Sequence, residues 1–225
     1  MHWISVIIFS IVSPLNIYFN KCNAGNAEKK GAFITKLLIL PALFLIYLSS
    51  GAKFSLLLAG ALLTCWCGDI VLGINFRKTQ SNSMIVMGTG LICFLTGHVF
   101  YSILFLQHIR FDSNMIFLAP FYLIYLFFSL ILFPCFKLKG LMATGVTVYF
   151  LGETFMSFSC LLLLIYNPGL PGALLFTGSL FFIISDSVLG YSFFVRNPPQ
   201  HKRIVMGSYI SAQLLIVTGY ILLLI

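Results

Sequence analysis

The sequence is divided into eight apolar runs, at about 3–19, 35–50, 54–74, 84–106, 115–135, 141–165, 172–194 and 204–225. A hydrocarbon core about 30 Å thick is crossed by about 20 apolar residues in a helix, so most of these runs are of spanning length. Lipid offers no water to backbone N–H and C=O groups, which restricts a spanning segment to helix or closed barrel. The runs exceed the about 9–11 residues of a barrel strand and lack two-residue alternation, which selects helices. Composition agrees, with 60% hydrophobic and 8% charged residues where a soluble domain carries about 25% charged. The intervening segments are too short for a soluble domain. The expected fold is all-α: a polytopic membrane bundle of about eight transmembrane helices forming one domain over residues 1–225.

Orientation follows from where the cations lie. Of the thirteen Lys and Arg residues, only Lys53 and Arg110 fall in or beside the even-numbered loops, and the rest, from Lys21 to Arg203, flank the odd-numbered ones. This bias puts the odd loops in the cytosol and both termini on the non-cytosolic side. The formal charge of +8 is therefore mostly a topology signal. The basic residues are dispersed and not interleaved with exposed aromatics, so no nucleic-acid partner is expected. No Lys or Arg precedes residues 3–19 and no A-x-A site follows them, which favours a first helix over a cleaved signal. Cys65 and Cys67, two apart on a helix, point in different directions, and the six cysteines read as buried thiols.

The acids are the informative residues. Glu28 and Asp112 are in loops, whereas Asp69, Glu153 and Asp186 lie inside apolar runs. Each charge there costs about 2.5–3.5 kcal/mol on insertion scales, so intramembrane acids mark function by default. At about 1.5 Å per residue, Asp69 lies about 9 Å and Asp186 about 12–13 Å from the cytosolic ends of their helices. Lys36 begins the second run on that side, Gln213 lies at a depth similar to Asp186, and His98 and Glu153 are deeper. A single polar cavity opening toward the cytosolic leaflet accommodates all of them.

Helical spacing adds partners: His98 and Tyr101 are i,i+3, while Tyr149 with Glu153 and Tyr209 with Gln213 are i,i+4. Interhelical hydrogen bonds contributing about 1 kcal/mol each would explain a Tyr or Gln equally well. They explain the aspartates poorly, because Ser, Thr or Asn makes the same bond at lower desolvation cost.

Known intramembrane chemistries can be compared with these residues. The GxSG turn of a rhomboid-type protease is missing, since Thr177-Gly178-Ser179 lacks the second glycine. Gly68-Asp69 is similar to part of the GxGD signature of intramembrane aspartyl proteases, but it comes first of the two aspartates and no Pro-Ala-Leu follows. Three-histidine zinc hydrolysis lacks its ligands, because only His98 of His2, His98, His108 and His201 lies deep in a helix. No metal or cofactor is expected.

Four segments do form an ordered set: Gly68-Asp69 with Ile70-Val71-Leu72; Gly90-Leu91 to Phe94 with His98 to Tyr101; Phe182 to Ser185-Asp186-Ser187; and Tyr209 to Ala212-Gln213-Leu214. With Lys36 before them, they resemble the lysoplasmalogenase (YhhN-like) family of membrane proteins in order and spacing, over nearly the whole chain. Leu37 stands where the family often has Pro after the Lys. The resemblance implies hydrolysis of the vinyl ether bond of a lysoplasmalogen, releasing a fatty aldehyde and a glycerophospho-alcohol. It also implies eight helices, and an endoplasmic reticulum membrane in an animal or an inner membrane in a bacterium.

A vinyl ether yields to acid, so the chemistry asks for one protonated acid and one carboxylate or base, as in a glycosidase. Asp69 and Asp186 are the expected pair, in either assignment, with His98 as the water-orienting group or base. Lys36, Tyr101, Tyr149, Glu153, Tyr209 and Gln213 are the expected substrate-binding residues, around a lysophospholipid held within the bilayer. The same intramembrane acids would also suit a small proton-coupled transporter, although the chain shows no related halves and no paired Gly/Pro-broken helices.

Overall fold

The computed structural model describes residues 2–21, 26–74, 80–109, 120, 122–124, 126–127, 140–196 and 198–225. Within them the chain forms α1 (His2–Phe19), α2 (Asn26–Ser49), α3 (Leu56–Ile74), α4 (Gln80–Leu106), α5 (Gly140–Tyr166), α6 (Leu170–Phe194) and α7 (His201–Leu224), with no strand. Helices α2 to α7 are each long and apolar enough to cross a membrane, whereas the apolar part of α1, Trp3–Phe19, is shorter. The run expected at 115–135 lies largely outside the described residues, as do Asp112, Cys22 and Cys135.

Boundaries agree with the apolar runs within a few residues except at α2, which starts at Asn26 and not at 35. The added segment opens with Asn26, Glu28, Lys29 and Lys30, and hydropathy therefore passes over it. Its Ala, Glu and Lys residues are nevertheless good helix formers, and Glu28 in the first turn complements the helix dipole. The helix thus projects beyond the apolar run and carries Lys29 and Lys30 with it.

Packing follows chain order. Antiparallel pairs α6–α7, α3–α4 and α1–α2 have the largest interfaces, α5 joins α4 to α6, and α2 touches both α3 and α7. The six span-length helices therefore close into a ring, with α1 outside against α2 and α7. Close approach between α6 and α7 rests on Gly178, where a Cβ would stand 3.0 Å from the Ala212 carbonyl oxygen. Small residues at such seams let helices associate without a hydrophobic driving force. Large apolar side chains face outward, as with Ile85, Ile92 and Val99 at seven-residue steps along α4, while Asp69, His98, Glu153 and Gln213 are buried within.

Proline sets the register of α2 against α3. Pro41 has no N–H, so the carbonyl four residues before it, that of Leu37, loses its helical partner. The Trp66 indole Nε1–H of α3 donates to that carbonyl at 2.9 Å. This bond fixes α3 beside α2 one residue from Lys36 and three from Asp69. Trp66→Phe keeps the ring but strands the carbonyl, and should destabilise the protein by about 1–3 kcal/mol. Thermal unfolding in detergent is the measurement, and an unchanged midpoint would mean that the carbonyl finds another donor.

Candidate functional site

A cavity of about 1370 Å³ opens at the end of the ring where α1, α3 and α6 finish and α2 and α7 begin. This is the end that carries the basic odd loops. Its walls include Phe33, Leu72, Leu91, Phe94, Phe150 and Leu189, and Lys36, Asp69, Tyr149, Asp186 and Tyr209 supply polar groups. Five ring helices bring a polar residue to this cavity, Lys36 from α2, Asp69 from α3, Tyr149 from α5, Asp186 from α6 and Tyr209 from α7, and His98 of α4 stands directly behind Tyr149.

These residues form two groups of opposite character. In the first, Asp69 is 1% exposed, its Oδ1 lies 3.0 Å from Lys36 Nζ, and its Oδ2 accepts a hydrogen bond from the Tyr209 hydroxyl at 2.8 Å. The carboxylate is thus charge-compensated and hydrogen-bonded, the condition under which a buried ion is tolerated. The Phe94 ring meets Tyr209 edge-on at 6.2 Å.

The second group is a chain with no lysine or arginine in it. Tyr149 donates its hydroxyl proton to Asp186 Oδ2, His98 Nε2 is 3.1 Å from the same hydroxyl, and His98 Nδ1 faces the Met156 sulfur at 3.3 Å. Thioether sulfur only accepts, so Nδ1 carries a proton and the network assigns the tautomer. Two proton arrangements satisfy every bond. In one, a doubly protonated His98 donates to Tyr149, which donates to an ionised Asp186. In the other, a protonated Asp186 donates to Tyr149, which donates to His98 Nε2. They differ by one proton moved along the chain, with no side chain displaced. Between the two groups lies Phe182, edge-on to His98 at 4.9 Å and to Tyr209 at 5.5 Å. Ser185, beside Asp186, ties α6 to the Val205 carbonyl of α7 at 3.2 Å.

Four expected site residues lie behind the cavity wall. His98 reaches Asp186 through Tyr149, its Nε2 being 3.9 Å from Asp186 Oδ2. Tyr101 is not paired with His98: its hydroxyl donates to Gln213 Oε1 at 2.7 Å, so these two residues join α4 to α7 below the cavity. Glu153, fully buried one turn after Tyr149, has both carboxylate oxygens without a hydrogen-bond partner among the described residues.

His98, Glu153 and Asp186 offer donor atoms within 4.8 Å of one another, the one set among the described residues with the composition of a divalent-cation site. Because the Tyr149 hydroxyl is bonded to both His98 and Asp186, a metal on these donors would have to displace it. The Tyr149 hydroxyl joins two members of the trio, His98 and Asp186, and Glu153 is the member without a hydrogen-bond partner among the described residues. Glu153→Leu removes a buried carboxyl that has no hydrogen-bond partner among the described residues and should raise the midpoint of thermal unfolding, by about 2–4 °C per kcal/mol recovered. A lowered midpoint would reveal a bonding partner on which the bundle depends.

Spacing along the chain does not mark Tyr149 as the bridge between His98 and Asp186, because the three are far apart in it. Nor does it mark Trp66. The lysines at the mouth, Lys29, Lys30 and Lys202, also line the cavity, although their positions signal topology alone when read as sequence.

A search of curated proteins and a search of solved structures each return no match. The model of the YhhN family matches residues 31–220, from the second turn of α2 into the last turns of α7, and so takes in all six helices of the ring and every residue of the two polar groups, while Lys29 and Lys30 precede its start. The chain belongs to the YhhN family.

Proposed function

We propose that the protein is a lysoplasmalogenase-type hydrolase, which cleaves the vinyl ether bond of 1-alkenyl lysophospholipids within the membrane and uses neither metal nor cofactor. Family membership supports the class of reaction. The observation that carries the chemistry is that two aspartates face one cavity in different surroundings: Asp69 beside the Lys36 ammonium, Asp186 at the end of a hydrogen-bonded chain through Tyr149 to His98.

Hydrolysis then divides between them. Asp186 delivers a proton to the alkenyl carbon beta to the ether oxygen, and the pair of electrons in the double bond forms the new C–H bond. The resulting oxocarbenium ion develops positive charge beside the Asp69 carboxylate, which is preorganised by Lys36 and Tyr209 to stabilise it. Water adds to the cationic carbon and returns a proton to Asp186. The hemiacetal collapses by breaking the carbon–oxygen bond to glycerol, with the hydroxyl proton lost and the glycerol oxygen protonated. Tyr149 and His98 keep Asp186 supplied, since the chain moves one proton without rearrangement. Acid–base assistance of this kind contributes about 10²- to 10⁴-fold.

The cavity suits such a substrate. Its phenylalanine and leucine walls take the alkenyl chain, and the basic mouth faces the head group. With the basic loops in the cytosol, both termini are non-cytosolic, and the membrane is that of the endoplasmic reticulum in a eukaryote or the inner membrane in a bacterium. The test incubates purified protein in detergent with a 1-alkenyl lysophospholipid and its 1-acyl counterpart. Free aldehyde from the first and no fatty acid from the second is the expected result. Fatty acid from the ester would make the protein a lysophospholipase, and no product from either, with folded protein, would shift the reading to proton-coupled transport.

A further inference from the structure

The mouth of the cavity holds more cations than its acids can compensate. Lys29 and Lys30 on the early turns of α2 and Lys202 in the first turn of α7 line the cavity and are exposed. Among the described residues none of them has an acid within ion-pair distance, because Glu28 is taken by Lys21 at 3.5 Å and Asp69 by Lys36. Asp186 lines the cavity on α6 and is bonded to Tyr149, and Glu153 lies behind the wall on α5. Lys21 is further occupied by the Tyr18 ring, 3.8 Å from its centroid.

The placement is also unfavourable for the helices themselves. Cations at a helix N-terminus oppose the macrodipole, whose positive end prefers an anion. Both α2 and α7 present their N-termini to this mouth, with lysine on each. An anion between them would relieve the repulsion among the ammonium groups and accept from them at once. A phosphodiester fits, as its single negative charge is spread over oxygens that several lysines can reach.

Length agrees with this placement. Lys29 and Lys30 stand about 9–11 Å from Lys36 along α2 at 1.5 Å per residue. An extended glycerophosphate spans about 6 Å from phosphorus to the ether oxygen at ordinary bond lengths, and the lysine side chains reach inward over the remainder. A phosphate held at the mouth therefore sets the ether bond at the depth of Asp69.

We infer that Lys29, Lys30 and Lys202 form a phosphate-binding subsite that reads the phosphodiester of the head group and positions the sn-1 chain bond against the two aspartates. Lys36, engaged by Asp69, belongs to the reacting centre and not to this subsite. The inference rests on the lipid-hydrolase reading for the identity of the ligand, and its test is made independent of turnover.

The probes are a 1-O-alkyl lysophosphoethanolamine, whose saturated ether is not hydrolysed, and the corresponding 1-O-alkylglycerol, which lacks phosphate. Each is titrated against the full-length protein in neutral detergent. Wild type should bind the phosphorylated probe more tightly. The triple variant Lys29→Gln/Lys30→Gln/Lys202→Gln should weaken that binding at least about tenfold, about 1.4 kcal/mol, and leave alkylglycerol binding unchanged. Unchanged binding of both probes would overturn the proposal and leave the lysines as topology signals. Equal weakening of both would overturn it too, as damage to the cavity as a whole. If phosphatidylglycerol added to the micelles abolishes the wild-type preference, the lysines hold a bilayer lipid and the substrate subsite is refuted. Aldehyde release from the alkenyl analogue is followed in parallel. A wild type that binds with the expected preference but releases no aldehyde leaves the subsite standing and removes the hydrolase reading.

Discussion

Asp186→Asn is expected to reduce aldehyde release by about 10³-fold, within the range of 10²–10⁴ for loss of a general acid. The amide NH2 group donates to the Tyr149 oxygen as the protonated acid does, and Tyr149 donates to His98 Nε2, so the chain from Met156 through His98 and Tyr149 keeps its bonds. What is lost is the transferable proton at the cavity surface. Fold and insertion should therefore survive, with a thermal midpoint near that of wild type, and binding of an alkyl lysophospholipid should persist. The measurement is kcat for the alkenyl substrate on variant protein shown to be folded. Turnover within tenfold of wild type would remove Asp186 from the chemistry and leave it a packing residue. Unfolding of the variant would instead be met by Asp186→Ser, which retains a hydroxyl toward Tyr149 and likewise cannot supply an acidic proton.

That Asp186 was worth testing is legible in the sequence, and the reason is energetic. Lipid makes an acid in an apolar run costly, so Asp69, Glu153 and Asp186 stand out without any knowledge of neighbours. The same cost does not say which residues meet. His98 and Tyr101 share a helix face by spacing, yet one turns to Tyr149 of α5 and the other to Gln213 of α7. Residues i,i+3 are offset by about 60° around the axis, enough in a ring of six helices to face different neighbours. Pairing across helices depends on which helices adjoin, and hydropathy is blind to that.

Hydropathy also explains where the fold was read well and where it was not. The runs that became α3, α5, α6 and α7 are apolar almost to their ends, and the expected limits lie close to those observed. The first turns of α2 carry Asn26, Glu28, Lys29 and Lys30 and are helical all the same, so a criterion built on lipid solubility stops at the membrane surface while the hydrogen-bonded ladder continues. That extension carries Lys29 and Lys30, and it is why cations counted for topology turn out to line the cavity. A positive charge near a membrane surface has two readings, orientation and anion binding, and only the position of the cavity separates them.

The ion pair of Asp69 with Lys36 permits the sharpest separation of stability from chemistry. Removing one partner leaves a buried charge uncompensated, a change that costs about 3–5 kcal/mol in a closed interior and less here, because Lys36 retains some exposure. Asp69→Asn should accordingly lower the thermal midpoint and abolish detectable aldehyde release. Lys36→Met should also destabilise, since Asp69 then keeps only the Tyr209 hydrogen bond. In the double variant Lys36→Met/Asp69→Asn no charge is left unpaired, and replacing a buried ion pair by groups of similar volume is often neutral or stabilising. The double variant should therefore recover most of the lost midpoint and none of the turnover. Such non-additivity in stability, with activity absent throughout, would assign Asp69 to stabilising the cationic transition state. Activity returning with stability would show that the pair is only a structural bolt between α2 and α3, and the carboxylate that faces the oxocarbenium ion would have to be found elsewhere in the cavity.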